Sequence, residues 1–214
     1  MQTYNTIVNF IQSGGIWMVP IAIALGFGLA IAIERFVFLN NAREDNRELW
    51  EKLLGLLGQG QYDQAGAAAA ESDTAIGRIM SHGLSRLRSA RRREDVEMAL
   101  EESLMETIPE LERRTHYLAT LANVATLLGL LGTIIGLIQA FTAISGVNPA
   151  EKADLLSASI SVAMNTTAFG LMVAIPLLLI HSWLQSVTSE VVDSLEMASI
   201  KFLNLMQLRE TQDA

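Results

Sequence analysis

The chain has 214 residues, 50% of them hydrophobic and only 18% charged, with a mean hydropathy of +0.33. Soluble domains carry about a quarter charged residues, so an apolar excess gathered into three long runs excludes a purely soluble protein. The net charge of −8 excludes a globally basic nucleic-acid binder, and the lack of cysteine excludes disulfides, thiolate metal ligands and a cysteine nucleophile.

Taken in chain order, residues 1–15 come first. Tyr4, Ile7, Val8 and Ile11 recur at helical spacing, which predicts a short amphipathic helix on the outer membrane surface. Ser13-Gly14-Gly15 then turns the chain into a first span over 16–39. Ile16 to Ile33 is eighteen residues without charge, closed by Glu34-Arg35. No Lys or Arg precedes it, which is the order of an uncleaved anchor and not of a signal peptide. Residues 40–118 form a cytoplasmic helical region. Its first helix, Asn40 to Leu57, carries Leu49, Leu53, Leu56 and Leu57 on one side and is punctuated by Gly55, Gly58 and Gly60. Gln61 to Ser72 is Ala-rich and helical, and Thr74 caps a further helix ending near Leu87.

From Glu94 no turn signal appears before Ser145-Gly146. That predicts one helix of about fifty residues, roughly 75 Å long, bent at Pro109, which lacks a backbone donor. Its apolar part, Thr120 to Ile144, is the second span, over 119–144. A loop over 145–154 leads to a third span over 155–182, inside a stretch free of Asp, Glu, Lys and Arg from Leu155 to Ser189. Each run satisfies the roughly 20 residues that a bilayer needs. Beyond it, over 183–214, Leu184, Val187, Val191, Leu195, Ala198, Phe202 and Leu205 step by three and four, a helix–helix seam. The fold class is therefore an all-α integral membrane protein with three transmembrane helices, the second and third extended far into the cytoplasm.

Twelve of the fifteen basic residues lie between Arg35 and Arg114, and none lies before the first span. By the positive-inside bias, 40–118 and the C-terminus are cytoplasmic, while the N-terminus and 145–154 face the other side. Trp17 then sits at the outer interface and Trp183 at the inner one.

Within the membrane, Thr126, Gly129, Thr133, Gly136 and Ala140 share one face of the second span, and Gly132 lies among them. The third span repeats the plan with Ser159, Ala163, Thr166, Gly170 and Ala174, flanked by Asn165 and Thr167. Thr133 lies eleven residues before Ile144 and Thr167 eleven after Leu156, so each is roughly 16–17 Å below the outer surface and the two sit level. Two readings fit these stripes. Small residues and hydroxyls either pack helices closely or line a hydrated pathway through Thr126, Thr133, Asn165, Thr166 and Thr167. No Asp or Glu lies within any span, Glu34 standing at the inner edge of the first, so proton relay here requires a carboxylate from another chain.

Other signals carry little chemistry. Arg91-Arg92-Arg93, near Arg86 and Arg88, is followed by eight acidic residues from Glu94 to Glu112, with no aromatics between them. It reads as a solvated cluster near lipid headgroups, not a nucleic-acid site. His82, His116 and His181 are too far apart for a metal spacing, no phosphate loop or dinucleotide fingerprint is present, and no nucleophile–base pair recommends an enzyme. No cofactor is implied.

Ile108-Pro109-Glu110-Leu111-Glu112-Arg113-Arg114, Leu118 to Asn123, Gly129-Leu-Leu-Gly132-Thr133-Ile-Ile-Gly136, and Thr166 to Pro176 together resemble the MotA/TolQ/ExbB proton-channel family, in its shorter ExbB/TolQ branch. The resemblance implies a homopentamer in the bacterial inner membrane. Its second and third spans would surround a central pore holding single-span helices of an ExbD/TolR-like partner. That partner's intramembrane Asp would carry the proton past Thr133 and Thr167, driving a TonB-like or TolA-like protein. Val162 stands where many ExbB-like members have a glutamate, and Thr126 where many have proline; no glutamate role is carried over. The resemblance leaves a TolQ-like subunit for envelope integrity as one alternative, and a non-conducting scaffold as another.

Overall fold

The computed structural model describes residues 15–87, 92–146 and 148–210. The amphipathic helix expected before Ser13, and Arg88 and Arg91, lie outside the described residues. The described part is helical, with no strand: α1 Met18–Gly58, α2 Tyr62–Glu71, α3 Ala75–Leu87, α4 Arg93–Glu112, α5 Thr115–Ala143, a 3-10 turn Ile144–Gly146, and α6 Pro149–Glu210. Three helical stretches, Met18–Gly58, Arg93–Ala143 and Glu151–Gln207, are long and apolar enough to cross a membrane. The protein is an all-α integral membrane protein.

Three boundaries differ from expectation. The first span and the helix expected over Asn40 to Leu57 are one helix of 41 residues, because neither Gly nor Pro lies between Ile33 and Asn40. The long helix from Glu94 does not run through; it stops at Glu112 and restarts at Thr115. Pro109 is accommodated inside α4, and the break falls at Arg114, which adopts a left-handed backbone (φ 69°). The loop expected over 145–154 shrinks to the 3-10 turn and its neighbours, because α6 already starts at Pro149. Proline suits a first helical position, where its missing N–H would have no partner anyway.

The chain forms two compact units, one from Met1–Ile33 with Arg114–Trp183 and the other from Glu34–Arg113 with Leu184–Ala214. The first packs through small residues: Ala24 and Ala32 of α1, Ala122, Ala125 and Ala140 of α5, and Ala163 and Ala174 of α6 are all buried. The second has a core of large side chains. Leu53 and Leu57 of α1, Ile76, Ile79 and Met80 of α3, Leu100 of α4 and Phe202 of α6 are all nearly inaccessible. The later part of the expected seam on α6 lies in this core: Val191, Leu195, Ala198 and Phe202 belong to it and Leu205 packs against it, while Leu184 is buried outside it and Val187 is half-buried.

Local chemistry fixes the second unit's helix ends. Thr74 caps α3, its Oγ1 accepting the Gly77 N–H at 3.1 Å. Asn46 of α1 supplies a second cap, its Oδ1 accepting the Ile76 N–H at 2.8 Å. The first four amides of a helix have no intrahelical partner, and such side-chain oxygens satisfy them. Ion pairs on the surface join Arg43 to Glu190 (2.5 Å) and Arg78 to Glu110 (2.6 Å).

Candidate functional site: the threonine-bearing helix pair

In the first unit, α5 and α6 run antiparallel at backbone contact. A Cβ on Gly129 would lie 3.2 Å from the carbonyl oxygen of Thr166 and 3.2 Å from Cα of Thr167; one on Gly170 would lie 2.7 Å from the carbonyl oxygen of Ala125. Neither position has room for a side chain while the backbones touch. Gly132 meets the methyl group of Thr166 and Gly136 meets Ala163 in the same way. The expected stripes therefore contain a packing seam: Ala122, Ala125, Gly129, Gly132 and Ala140 on α5 face Ala163, Thr166, Gly170 and Ala174 on α6, all of them buried.

The hydroxyls divide around that seam. Thr167 Oγ1 donates across the pair to the carbonyl oxygen of Gly129 at 2.8 Å. In helical register the same carbonyl takes the backbone N–H of Thr133, so the two threonines meet at one peptide group. Thr133 Oγ1 donates to the carbonyl of Leu130 at 2.6 Å, Thr126 to that of Ala122 at 3.1 Å, and Thr166 to that of Val162 at 3.1 Å. Each hydroxyl has spent its proton on a backbone oxygen. What each retains is acceptor capacity.

The depth expectation can be compared with the register. Gly129 faces Thr167 and Gly170, Gly132 faces Thr166, and Gly136 faces Ala163. Thr133 is thus at the height of about Asn165, roughly 3 Å along the axis from Thr167.

Rotation separates the remaining residues. At 3.6 residues per turn, Thr126 and Thr133 lie roughly 60–80° from the middle of the α5 seam and Thr167 roughly 70° from the middle of the α6 seam. Because the helices are antiparallel, these turns bring all three to the same edge of the pair. Val162 and Asn165 turn the other way, toward the edge where Trp17 Cβ would lie 3.4 Å from a Cβ on Gly132, and where Val162 would lie 3.7 Å from a Cβ on Gly15. Thr166 is 2% exposed and fills the seam itself. So the structure sets Thr126, Thr133 and Thr167 on one edge, with Thr133 and Thr167 at nearly one height and Thr126 two turns away, places Thr166 between the helices, and turns Asn165 away from all three.

The second and third spans, 119–144 and 155–182, contain no ionisable acid, and among the described residues no group of three or more His, Asp or Glu is placed to hold a metal ion. The outward side of α5 is apolar, with Leu127, Leu130, Ile134, Ile138 and Phe141 exposed.

One residue in the second unit has a part that sequence reasoning did not assign. Arg35 is 3% exposed; its guanidinium donates to the carbonyl oxygen of Leu111 and lies 4.5 Å over the Phe38 ring. Leu111 is in the last turn of α4, where the break at Arg114 removes the normal carbonyl partner four residues on. A cation there also suits the negative end of the helix dipole. The signal was the helix break, which the sequence conceals.

The family model for the MotA/TolQ/ExbB proton channel family matches residues 71–197. A Methanothermobacter thermautotrophicus protein named as an ExbB homolog for biopolymer transport is 29% identical over 201 residues, covering 91% of this chain and 68% of that one. A biopolymer transport protein named ExbB-like 3, from Synechocystis, is 34% identical over 172 residues, covering 78% of this chain and 80% of its own. The Tol-Pal system protein TolQ of Haemophilus influenzae is 39% identical over 75 residues, 35% of this chain and 32% of that one.

Proposed function

Because the chain belongs to the MotA/TolQ/ExbB proton channel family, we propose that it is an ExbB-like proton-channel subunit of a bacterial inner-membrane motor. Several copies, five by family resemblance, surround an axis with the Thr126–Thr133–Thr167 edge turned inward. The N-terminus is outside and the C-terminus inside, as the distribution of basic residues indicates. An ExbD-like single-span partner supplies the intramembrane Asp, and a TonB-like protein receives the work for outer-membrane transport.

The observation that carries this reading is the convergence of Thr133 and Thr167 on the Gly129 carbonyl, at one edge of a helix pair whose spanning parts, 119–144 and 155–182, have no acid of their own. The partner's carboxylate takes a proton at the outer side, passes the threonines as the neutral acid, and releases the proton inside. The threonine oxygens have donated their protons to carbonyls, so they accept from a protonated acid and offer nothing comparable to a carboxylate. That favours passage in the uncharged form. Each proton crossing about 100 mV supplies roughly 2.3 kcal/mol.

Proton flux in reconstituted complexes, or energy-dependent uptake in cells, tests the assignment. Thr133→Val and Thr167→Val each remove an acceptor and are expected to lower the rate about tenfold, the worth of one hydrogen bond of about 1.4 kcal/mol. Full activity of both at normal expression overturns it. The TolQ likeness supports a second reading within the same family, service to envelope integrity. A TolR-like partner co-purifying in place of an ExbD-like one would select it.

A further inference from the structure

The second unit carries an unpartnered face that the channel reading does not use. Helix α4 holds eight acidic residues against Arg93 alone. Met98 and Met105, two turns apart on one side of it, are 62% and 74% exposed. Exposed Glu94, Glu101 and Glu102 stand beside them on the same side. Alongside, α6 leaves Met197 and Ile200 each 53% exposed. Between the two helices runs a groove of about 230 Å³, floored by Leu100, Leu104 and Leu203 and rimmed by Glu97, Glu101 and Glu196. That volume suits one or two apolar side chains.

Among the described residues no ion pair reaches the groove's rim. Arg43 is paired with Glu190, Arg78 with Glu110, and Arg93 with Gln207; Glu97, Glu101, Glu102 and Glu196 take part in none of these pairs. Exposed methionines are adaptable apolar contacts, and anchors spaced by one or two turns are what an amphipathic helix presents to a groove. The same face of a second copy is a poor occupant, because it would bring its own Glu97, Glu101 and Glu196 against these carboxylates.

We propose that the α4–α6 groove docks a basic amphipathic helical segment of another protein, with apolar anchors seated against Leu104, Ile200 and Leu203 and reaching over Met98 and Met105 on the adjoining face of α4, and with Lys or Arg side chains over Glu97, Glu101 and Glu196. The site is independent of the threonine edge, so it stands or falls separately from the channel reading.

The test uses the full chain in neutral lipid nanodiscs and two synthetic helical peptides. Both carry Leu at i, i+3, i+4 and i+7; the remaining positions are Lys in one and Glu in the other. Fluorescence anisotropy is expected to show the Lys peptide binding at least about tenfold tighter than the Glu peptide. Two surface variants, Met98→Ser with Met105→Ser and Glu97→Lys with Glu101→Lys, are each expected to weaken it by about tenfold or more. Unchanged melting temperatures confirm that both variants are folded. Binding that responds to the glutamate reversals but ignores the methionine changes is simple charge adhesion, and overturns the groove. A methionine variant that changes the mass of the assembly instead makes this face a contact between copies, and overturns the proposal as well.

Discussion

The two units solve the same packing problem in opposite ways. In the first, the seam between α5 and α6 is made by Ala, Gly and Thr, while Leu127, Leu130, Ile134, Ile138 and Phe141 of α5 are exposed. In the second, Phe202, Leu53, Ile79 and Leu100 are inside, and Arg35 is the one charged side chain buried among the described residues. The difference follows from the surroundings. In lipid, burying a leucine gains little, so helices associate through close backbone approach. In water, burying each large side chain contributes roughly 1.5–3 kcal/mol, so the large residues collect in the centre. The first unit therefore depends on shape and the second on apolar area.

Substitutions can break or sharpen that contrast. The largest effect is expected for Phe202→Ala, which empties the centre of the second unit and should cost about 3–5 kcal/mol, read as a lowered melting temperature of the purified protein. Gly170→Ala adds one carbon, yet places it 2.7 Å from the Ala125 carbonyl oxygen, where neither backbone can yield cheaply. A cost of about 1–3 kcal/mol is expected, visible as weakened assembly in detergent titration. If Gly170→Ala proved neutral, the seam would not be governed by shape.

Asn46→Ala removes a helix cap and should cost about 1 kcal/mol, measured as faster amide exchange at Ile76. Thr167→Val deletes one interhelical hydrogen bond, worth about 0.6 kcal/mol on average in membranes. Thr133→Val deletes only a bond to its own helix, and its melting temperature should match the parent's. A large conduction defect in Thr133→Val with unchanged stability would therefore separate a pathway from a packing device; equal losses of both would merge them.

Much of this organisation was legible in the chain. Uncharged runs marked the spans, and the Leu184-to-Phe202 spacing marked the seam of the second unit. Thr74 was readable as a cap because a short hydroxyl side chain preceded an amphipathic run. The break at Arg113 and Arg114 was not: Pro109 was the only visible breaker, whereas the chain turns where Arg114 goes left-handed and Arg35 takes up a freed carbonyl. That stabilisation comes from a residue 76 positions away in sequence, which local pattern cannot register. In the candidate site, the near-equal heights of Thr133 and Thr167 followed from counting residues along two helices. Their common edge did not, because stripes drawn on isolated helices had placed Asn165 with them. Only the seam, defined by Gly129 and Gly170, fixes the rotation of each helix and sends Asn165 the other way.

The position of Phe202 has a consequence for biosynthesis. Its contact with the centre of the second unit comes from the last stretch of the chain, whereas Ile76, Met80 and Leu100 leave the ribosome roughly a hundred residues sooner, on the order of 5–20 s at cellular translation speeds. For that interval the nascent protein displays an open hydrophobic hollow while its later spans are still being inserted. A ribosome that stalls after residue 183 would leave a protein with its membrane helices made and its second unit unable to close around Phe202.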